Sequence, residues 1–452
     1  MTHGRLICAR YLIVRQSRGH SLKKIFAVLI TVLWAFGARG ATLINDTEIE
    51  RGIAEIIAPV AMAAKIPSER LKIYIVNDDD FNAFVRGGED VFIYTGLLKR
   101  IKSPNALRAV VAHEFGHTIG GHMVQMADRE RAEMIRTLIV QALGVGLMVA
   151  GGNPTAGVGV LAGSTGIAQQ SMLSFTRDEE RVADDFAVDL MVAANQNPNG
   201  LIDVFEQMRD MHGELESRIN PNRINHPLTS ERLNNVKNKI KNLKNIPTKP
   251  ADKITAENAE YDMLRAKLVG YLDNEKNILT KYPYSNKSDA AIYARAIGNM
   301  RSGNLDVAKT GTQTLIKRHP KTPYFYELLG DIEYQYGHYD DSVDAYEQAL
   351  KFIDDAPQIE TALALVLSER KKDDDLTRAR ELCKHVILSD ASPLAYWILA
   401  RVSVDGESDW AMAEFYKMNG NNENAKKYAK MAQKKSKKNS PEYIKSGDIL
   451  KQ

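Results

Sequence analysis

A chain of 452 residues can hold two or three domains, each large enough to bury its own core. Its 44% hydrophobic, 26% charged and 7% aromatic content excludes a disordered or fibrous protein. The formal charge of +3 misleads, because residues 1–40 carry seven basic side chains and no acidic one; without them 53 basic residues face 57 acidic ones, a balance with no electrostatic footprint for nucleic acid.

Those forty residues read as a targeting segment. A basic stretch ends in "SLKK" and leads into "IFAVLITVLWAFGA", an uncharged apolar run of 14 residues. Ala38-Arg39-Gly40 then places small residues at the two positions a signal peptidase reads, which predicts cleavage before Ala41. A retained anchor needs about 20 apolar residues, and this run is shorter. Cys8 leaves with the signal and Cys383 stands alone, so no intrachain disulfide and no thiolate metal cluster can form. Export without disulfides points to a bacterial periplasm.

The mature chain opens with a helix over 47–64, a strand over 71–77 and a second strand over 89–98 that runs into a turn at Gly96. Gly87-Gly88 marks the turn between them. The segment 91–95, "VFIYT", is expected to be a sheet edge along which a substrate could lie extended. Residues 104–127 read as one helix, with Pro104 in its first turn and Leu107, Val110, Val111, Phe115 and Thr118 at helical spacing.

On that helix sits "HEFGH". His113 and His117 are one turn apart, so both can face one ion, and Glu114 can reach a water beside it. The pattern is two zinc ligands plus a general base. His122, five past His117, lies off that face of a continuous helix and suits the helix end or a supporting place more than ligation. From 138 to 175 there is no charged residue; Gly151, Gly152 and Pro154 break the stretch into runs too short to cross a membrane, and it reads as a buried helical hairpin. The sharper reading is a hydrophobic pair that dips into a membrane surface or grips apolar substrate; either way it helps enclose the site.

A third ligand must come from elsewhere. The helix predicted over 174–191, "SFTRDEERVADDFAVDLM", offers Asp178, Glu179, Glu180, Asp184 and Asp185, and periodicity does not choose among them. Glu179 lies nearest the apolar stripe; Glu180 and Asp184 flank it one turn apart, which suits a ligand and a carboxylate that orients a ligand histidine. The plainer reading is a solvated acidic face.

"HEFGH" followed by "RDEERVAD" resembles the HtpX and CAAX-prenyl-protease family of zinc metallopeptidases, whose second motif is R-x-x-E-x-x-A-D. Arg177, Glu180, Ala183 and Asp184 fall on it, so the resemblance implies Glu180 as third ligand, which leaves Asp184 as the carboxylate that orients a ligand histidine. "NAFVRGGEDVFIYTGLL" and "HPLTSERL" are also similar to family elements, and the likeness covers residues 50–240. It implies a zinc ion, and active-site places for His226 and Arg232. In the soluble exported branch the matching histidine can close the metal's open position; its other role is to polarise the substrate oxygen, and the sequence leaves both open.

The second half repeats. Gly303 and Gly337 are 34 apart, as are Leu305 and Tyr339, and Ala308 and Ser342. That period is the tetratricopeptide signature of stacked helix pairs, with weaker copies at "LTRARELCKHVI" and "NNENAKKYAKMAQ". The Pro- and Lys-containing stretch 242–253 reads as a linker. The expected fold is therefore α+β and mostly helical: a signal over 1–40, a zincin-type metalloprotease domain over 41–243 and an all-α repeat solenoid over 244–452.

The combination resembles exported, repeat-bearing members of the family. It implies a zinc endopeptidase of the periplasm that acts on unfolded or misassembled proteins during outer-membrane protein assembly, with repeats that dock on the assembly machinery. A rival from another class is a chaperone or scaffold whose metal site is mostly shut. The lysine-rich "AKKYAKMAQKKSKK" reads as a solvated helix face, with peripheral contact to acidic lipid as the sharper alternative.

Overall fold

The computed structural model describes residues 5–6, 42–122, 176–215, 226, 228–372, 374–389 and 392–451. The predicted signal cleavage site and the apolar hairpin at 138–175 lie outside them. No helix among the described residues is long and apolar enough to cross a membrane. The fold is α+β and mostly helical, with a small sheet. It divides into two compact units, residues 52–261 and residues 1–51 with 262–452.

In the unit of residues 52–261, strands Lys72–Asn77, Ala83–Arg86 and Asp90–Tyr94 form a mixed sheet. Asp90–Tyr94 is its middle strand: it pairs in parallel with Lys72–Asn77, from Lys72 opposite Asp90 to Val76 opposite Tyr94, and antiparallel with Ala83–Arg86, where Phe84 faces Phe92. This corrects the expectation of an edge at 91–95. Both sides of that backbone are already hydrogen-bonded, and the exposed edge is the four-residue strand Ala83–Arg86. Alternation explains the two faces. Ile75, Val85, Val91 and Ile93 point into the core, while Tyr74 and Phe84 stack on Phe92 at centroid distances of 4.7 and 4.6 Å.

The strand does not simply turn at Gly96; a short helix, Thr95–Arg100, begins there. A Cβ on Gly96 would stand 2.1 Å from the Asp79 carbonyl oxygen, so glycine alone fits. Helix Pro104–Ile119 follows, started by the Ser103 hydroxyl, which accepts from the Ala106 amide at 3.1 Å. From Ala106 to His117 every residue of it is buried. Leu107, Val111 and Phe115 are fully enclosed, each contributing about 1.5–3 kcal/mol by area. Arg108 is also buried; its Nε donates to the Ile56 carbonyl at 2.8 Å and its Nη1 lies 2.8 Å from Glu257. Helix Arg177–Ala193 packs on this helix, and helices Asn199–Leu215 and Ser230–Lys241 complete the unit around them. The predicted linker is irregular only to Pro250; Ala251 opens the long helix Ala251–Leu272.

The second unit is built of helix pairs. Asp289–Arg301 pairs with Leu305–Arg318, and Pro323–Tyr336 with Tyr339–Leu350. Gly303 and Gly337, the repeating glycines, have φ of 80° and 82°, the left-handed conformation that lets the chain reverse between paired helices. Ser342 is fully buried, and its hydroxyl donates to the Gly330 carbonyl at 2.8 Å, which is why the repeat keeps a small residue there. Further pairs follow through Pro441–Lys451. Cys383 is buried in this unit as a free thiol.

An ion cluster lies inside the same unit. Lys267, 1% exposed, places its Nζ 2.9 Å from Asp46 and 2.8 Å from Glu48, with Glu327 at 3.6 Å. Tyr293 donates to Glu48 at 2.8 Å. The segment at Asp46–Glu48 is thereby fixed to the repeats by buried charge, an arrangement that specifies one docking geometry more than it adds stability.

Candidate metal centre

The two helices that carry the motifs meet at a glycine. A Cβ on Gly116 would stand 2.6 Å from the Ala183 carbonyl oxygen and 3.0 Å from its Cα, so the backbones approach as closely as glycine permits. Helix Arg177–Ala193 is begun by a capping box in which the Thr176 hydroxyl accepts from the Glu179 amide and Glu179 accepts from the Thr176 amide. That settles the two adjacent glutamates. Glu179, nearest the apolar stripe, serves as a cap, and Glu180 is the one that turns to the histidines.

His113, His117, Glu180 and His226 each present one donor atom, and the four atoms lie within 4.8 Å of one another. His113 Nε2 is 3.1 Å from His117 Nε2, 3.4 Å from a Glu180 oxygen and 3.4 Å from His226 Nδ1. His117 Nε2 is 3.6 Å from Glu180, and His226 Nδ1 is 2.7 Å from it. Zinc bonds of 2.0–2.1 Å in a tetrahedron separate neighbouring donors by roughly 3.3 Å. Most of the donor spacings here straddle that value, so the residues fit a metal ion.

Around the donors stand the other expected residues. Asp184 Oδ1 is 2.9 Å from His113 Nδ1, the ring nitrogen turned away from the donor cluster. Arg232 donates through Nε and Nη2 to both oxygens of Asp184 at 2.8 Å each, and its Nη1 is 2.7 Å from Glu180 Oε2. Its guanidinium lies over the Phe205 ring at 5.1 Å. Phe205 belongs to helix Asn199–Leu215, and nothing in the sequence pattern marks it as part of this site. Glu114 is buried, with Oε1 3.5 Å from His226 Nε2. His122 Nδ1 is 3.0 Å from His117 Nδ1.

The electrostatics follow from burial and from these neighbours. Burial raises the Glu114 carboxyl above its ordinary value, opposed in part by His226 and His113. A carboxylate with raised proton affinity is a better base. Burial also pulls the two ligand-like histidines down. For His117 it prevails, aided by His113 and His226. For His113 the Asp184 and Glu180 carboxylates outweigh it and hold the imidazole up at about 10. Glu180 lies well below the usual range, because hydrogen bonds from His113 and His226 overcome burial. The carboxylates thus favour the charged form of His113, while His117 and Glu114 are pushed toward their neutral forms.

Residues 47–240 match the model of Peptidase family M48. Beta-barrel assembly-enhancing protease of Escherichia coli (strain K12) is 25% identical over 301 residues, which cover 65% of this chain and 60% of that protein. Its namesake in Yersinia pestis is 26% identical over 267 residues, 58% of this chain and 53% of that one. Metalloprotease LoiP of Escherichia coli (strain K12) is 28% identical over 176 residues, 37% of this chain and 62% of that protein. The chain thus spans less than two thirds of the length of these curated relatives. A family M48 metallopeptidase domain implies a metal ion, and the four converging residues could hold it. The chain carries a Peptidase family M48 domain over residues 47–240 and is a homologue of beta-barrel assembly-enhancing protease.

Proposed function

We propose that this protein is a zinc-dependent endopeptidase of the bacterial periplasm that cleaves unfolded or misassembled polypeptides during assembly of outer-membrane proteins. The observation that carries the reading is the convergence of His113, His117 and Glu180 at spacings suited to zinc, with Glu114 beside them. Two imidazoles and a carboxylate are a donor set that zinc favours. Bound there, the metal would supply Lewis acidity and an acidified water. Glu114 takes the proton of the attacking water and returns it to the leaving amine. Asp184 orients His113, and Arg232, held by Asp184 and Glu180, positions them and adds positive charge near the developing oxyanion. An extended substrate pairs with the open edge of Ala83–Arg86, so unfolded segments are preferred over particular side chains. The periplasmic location rests on the signal outline of residues 1–40. The repeats bind protein partners, the outer-membrane assembly machinery among them.

With zinc held by His113, His117 and Glu180, His226 would take the remaining position, since its Nδ1 lies among their donor atoms. The same observation favours a second reading, a scaffold with a shut metal site. Casein cleavage separates them. His226→Ala is expected to cleave about tenfold faster or more, the gain set by the fraction of chains in the closed arrangement. A slower His226→Ala variant would assign His226 to catalysis, and no cleavage by either protein, with zinc bound, would favour the scaffold.

A further inference from the structure

Resting on the ligand set proposed above, the geometry points to His122 as the positioning residue that fixes the imidazole of His117, with Gly120-Gly121 as the device that brings it there. In an unbroken helix each residue advances by about 100°, so position 122 would face roughly 140° away from position 117. The helix does not continue. It ends at Ile119 with Gly120 as its cap, and Gly121 adopts φ of 70°, the left-handed conformation. The chain folds back, and the His122 ring returns over His117 with centroids 5.1 Å apart and planes at 72°.

The contact has the form a metal ligand needs. His117 turns Nε2 toward His113 and Glu180, and Nδ1 toward His122 Nδ1 at 3.0 Å. An imidazole that offers its Nε2 lone pair to a metal carries its hydrogen on Nδ1. His122 Nδ1 is the acceptor for that hydrogen, which sets the tautomer and rotation of His117. Both rings are buried, at 4% and 1% exposure, so water does not compete for the bond. Gly120 is the second observation. A Cβ there would stand 2.5 Å from His122 Nε2 and 2.8 Å from its Cε1, so only glycine leaves room for the ring where it lies. Each donor proposed for the zinc thus has an outer neighbour: Asp184 beside His113, Arg232 beside Glu180 and His122 beside His117.

The test measures zinc affinity of the full chain by competition with a chromogenic chelator, for wild type, His122→Asn, His122→Leu, Gly120→Ala and His113→Ala. Asn and Leu have similar shapes, but only Asn places an acceptor oxygen where His Nδ1 stands. His122→Leu and Gly120→Ala are expected to lose about 10–100-fold in affinity, while His122→Asn stays within a few-fold of wild type. His122→Leu binding as tightly as wild type would overturn the inference. So would equal losses in the Asn and Leu variants, which would mark a packing role only. Wild type binding no better than His113→Ala would overturn the ligand set itself, and this inference with it.

Discussion

Glu114→Gln is expected to lower the rate of casein cleavage about 10²- to 10⁴-fold while zinc content stays at the wild-type level. The substitution keeps the shape of a side chain that is 5% exposed and removes only its capacity to take a proton. Glu114 stands outside the group of converging donors, so metal binding has no reason to change. Burial raises the proton affinity of Glu114, opposed in part by His226 and His113, and a raised proton affinity suits a base. Zinc content and turnover measured on one preparation separate loss of base from loss of metal. Full cleavage by Glu114→Gln would remove Glu114 from the chemistry; loss of zinc would make it structural.

The second large effect is predicted for Gly116→Ala. The new Cβ would sit 2.6 Å from the Ala183 carbonyl oxygen, and backbone cannot swing aside as a side chain can. The helices must separate, and Glu180, one turn before Ala183, moves with its helix away from His113 and His117. Overpacking of this kind costs about 1–3 kcal/mol in stability. The site suffers more, since ligand geometry tolerates only about 0.5 Å of displacement. Zinc affinity is expected to fall at least as far as for loss of an outer partner, roughly 10–100-fold, with a lower melting temperature. A variant that folds and binds zinc as wild type does would show that the close approach at Gly116 does not set the metal geometry.

The site was partly legible because its first half is local. "HEFGH" places both histidines on one helix face by spacing alone, and helix Pro104–Ile119 carries them as expected. Glu180 was not legible that way. Periodicity describes faces, and the choice between Glu179 and Glu180 turns on the capping box at Thr176, a feature of the helix start, not of its stripe. Only the resemblance singled Glu180 out. The sequence allowed His122 a supporting place but not the route to it: five residues along a helix point away, and it takes the positive φ of Gly121 to bring the ring back.

Elsewhere the misses have physical causes. Ala83–Arg86 is four residues long, too short for alternation to declare it, yet it displaces 91–95 from the edge. The first repeats were visible through Gly303 and Gly337, since left-handed turns favour glycine. After Pro357–Arg370 the left-handed cap is Lys371, with φ of 55°, so the marker vanishes while the helix pair persists. The ion cluster joins Asp46 and Glu48 to Lys267, more than 200 positions further along the chain, and to Glu327 beyond it, and no local pattern reports it.

Metal analysis of the purified chain tests the central claim most directly. Elemental analysis after dialysis is expected to find one zinc per chain in wild type and almost none when His113, His117 or Glu180 is replaced by alanine. A wild-type chain without zinc, or zinc content unchanged by all three replacements, would contradict the account.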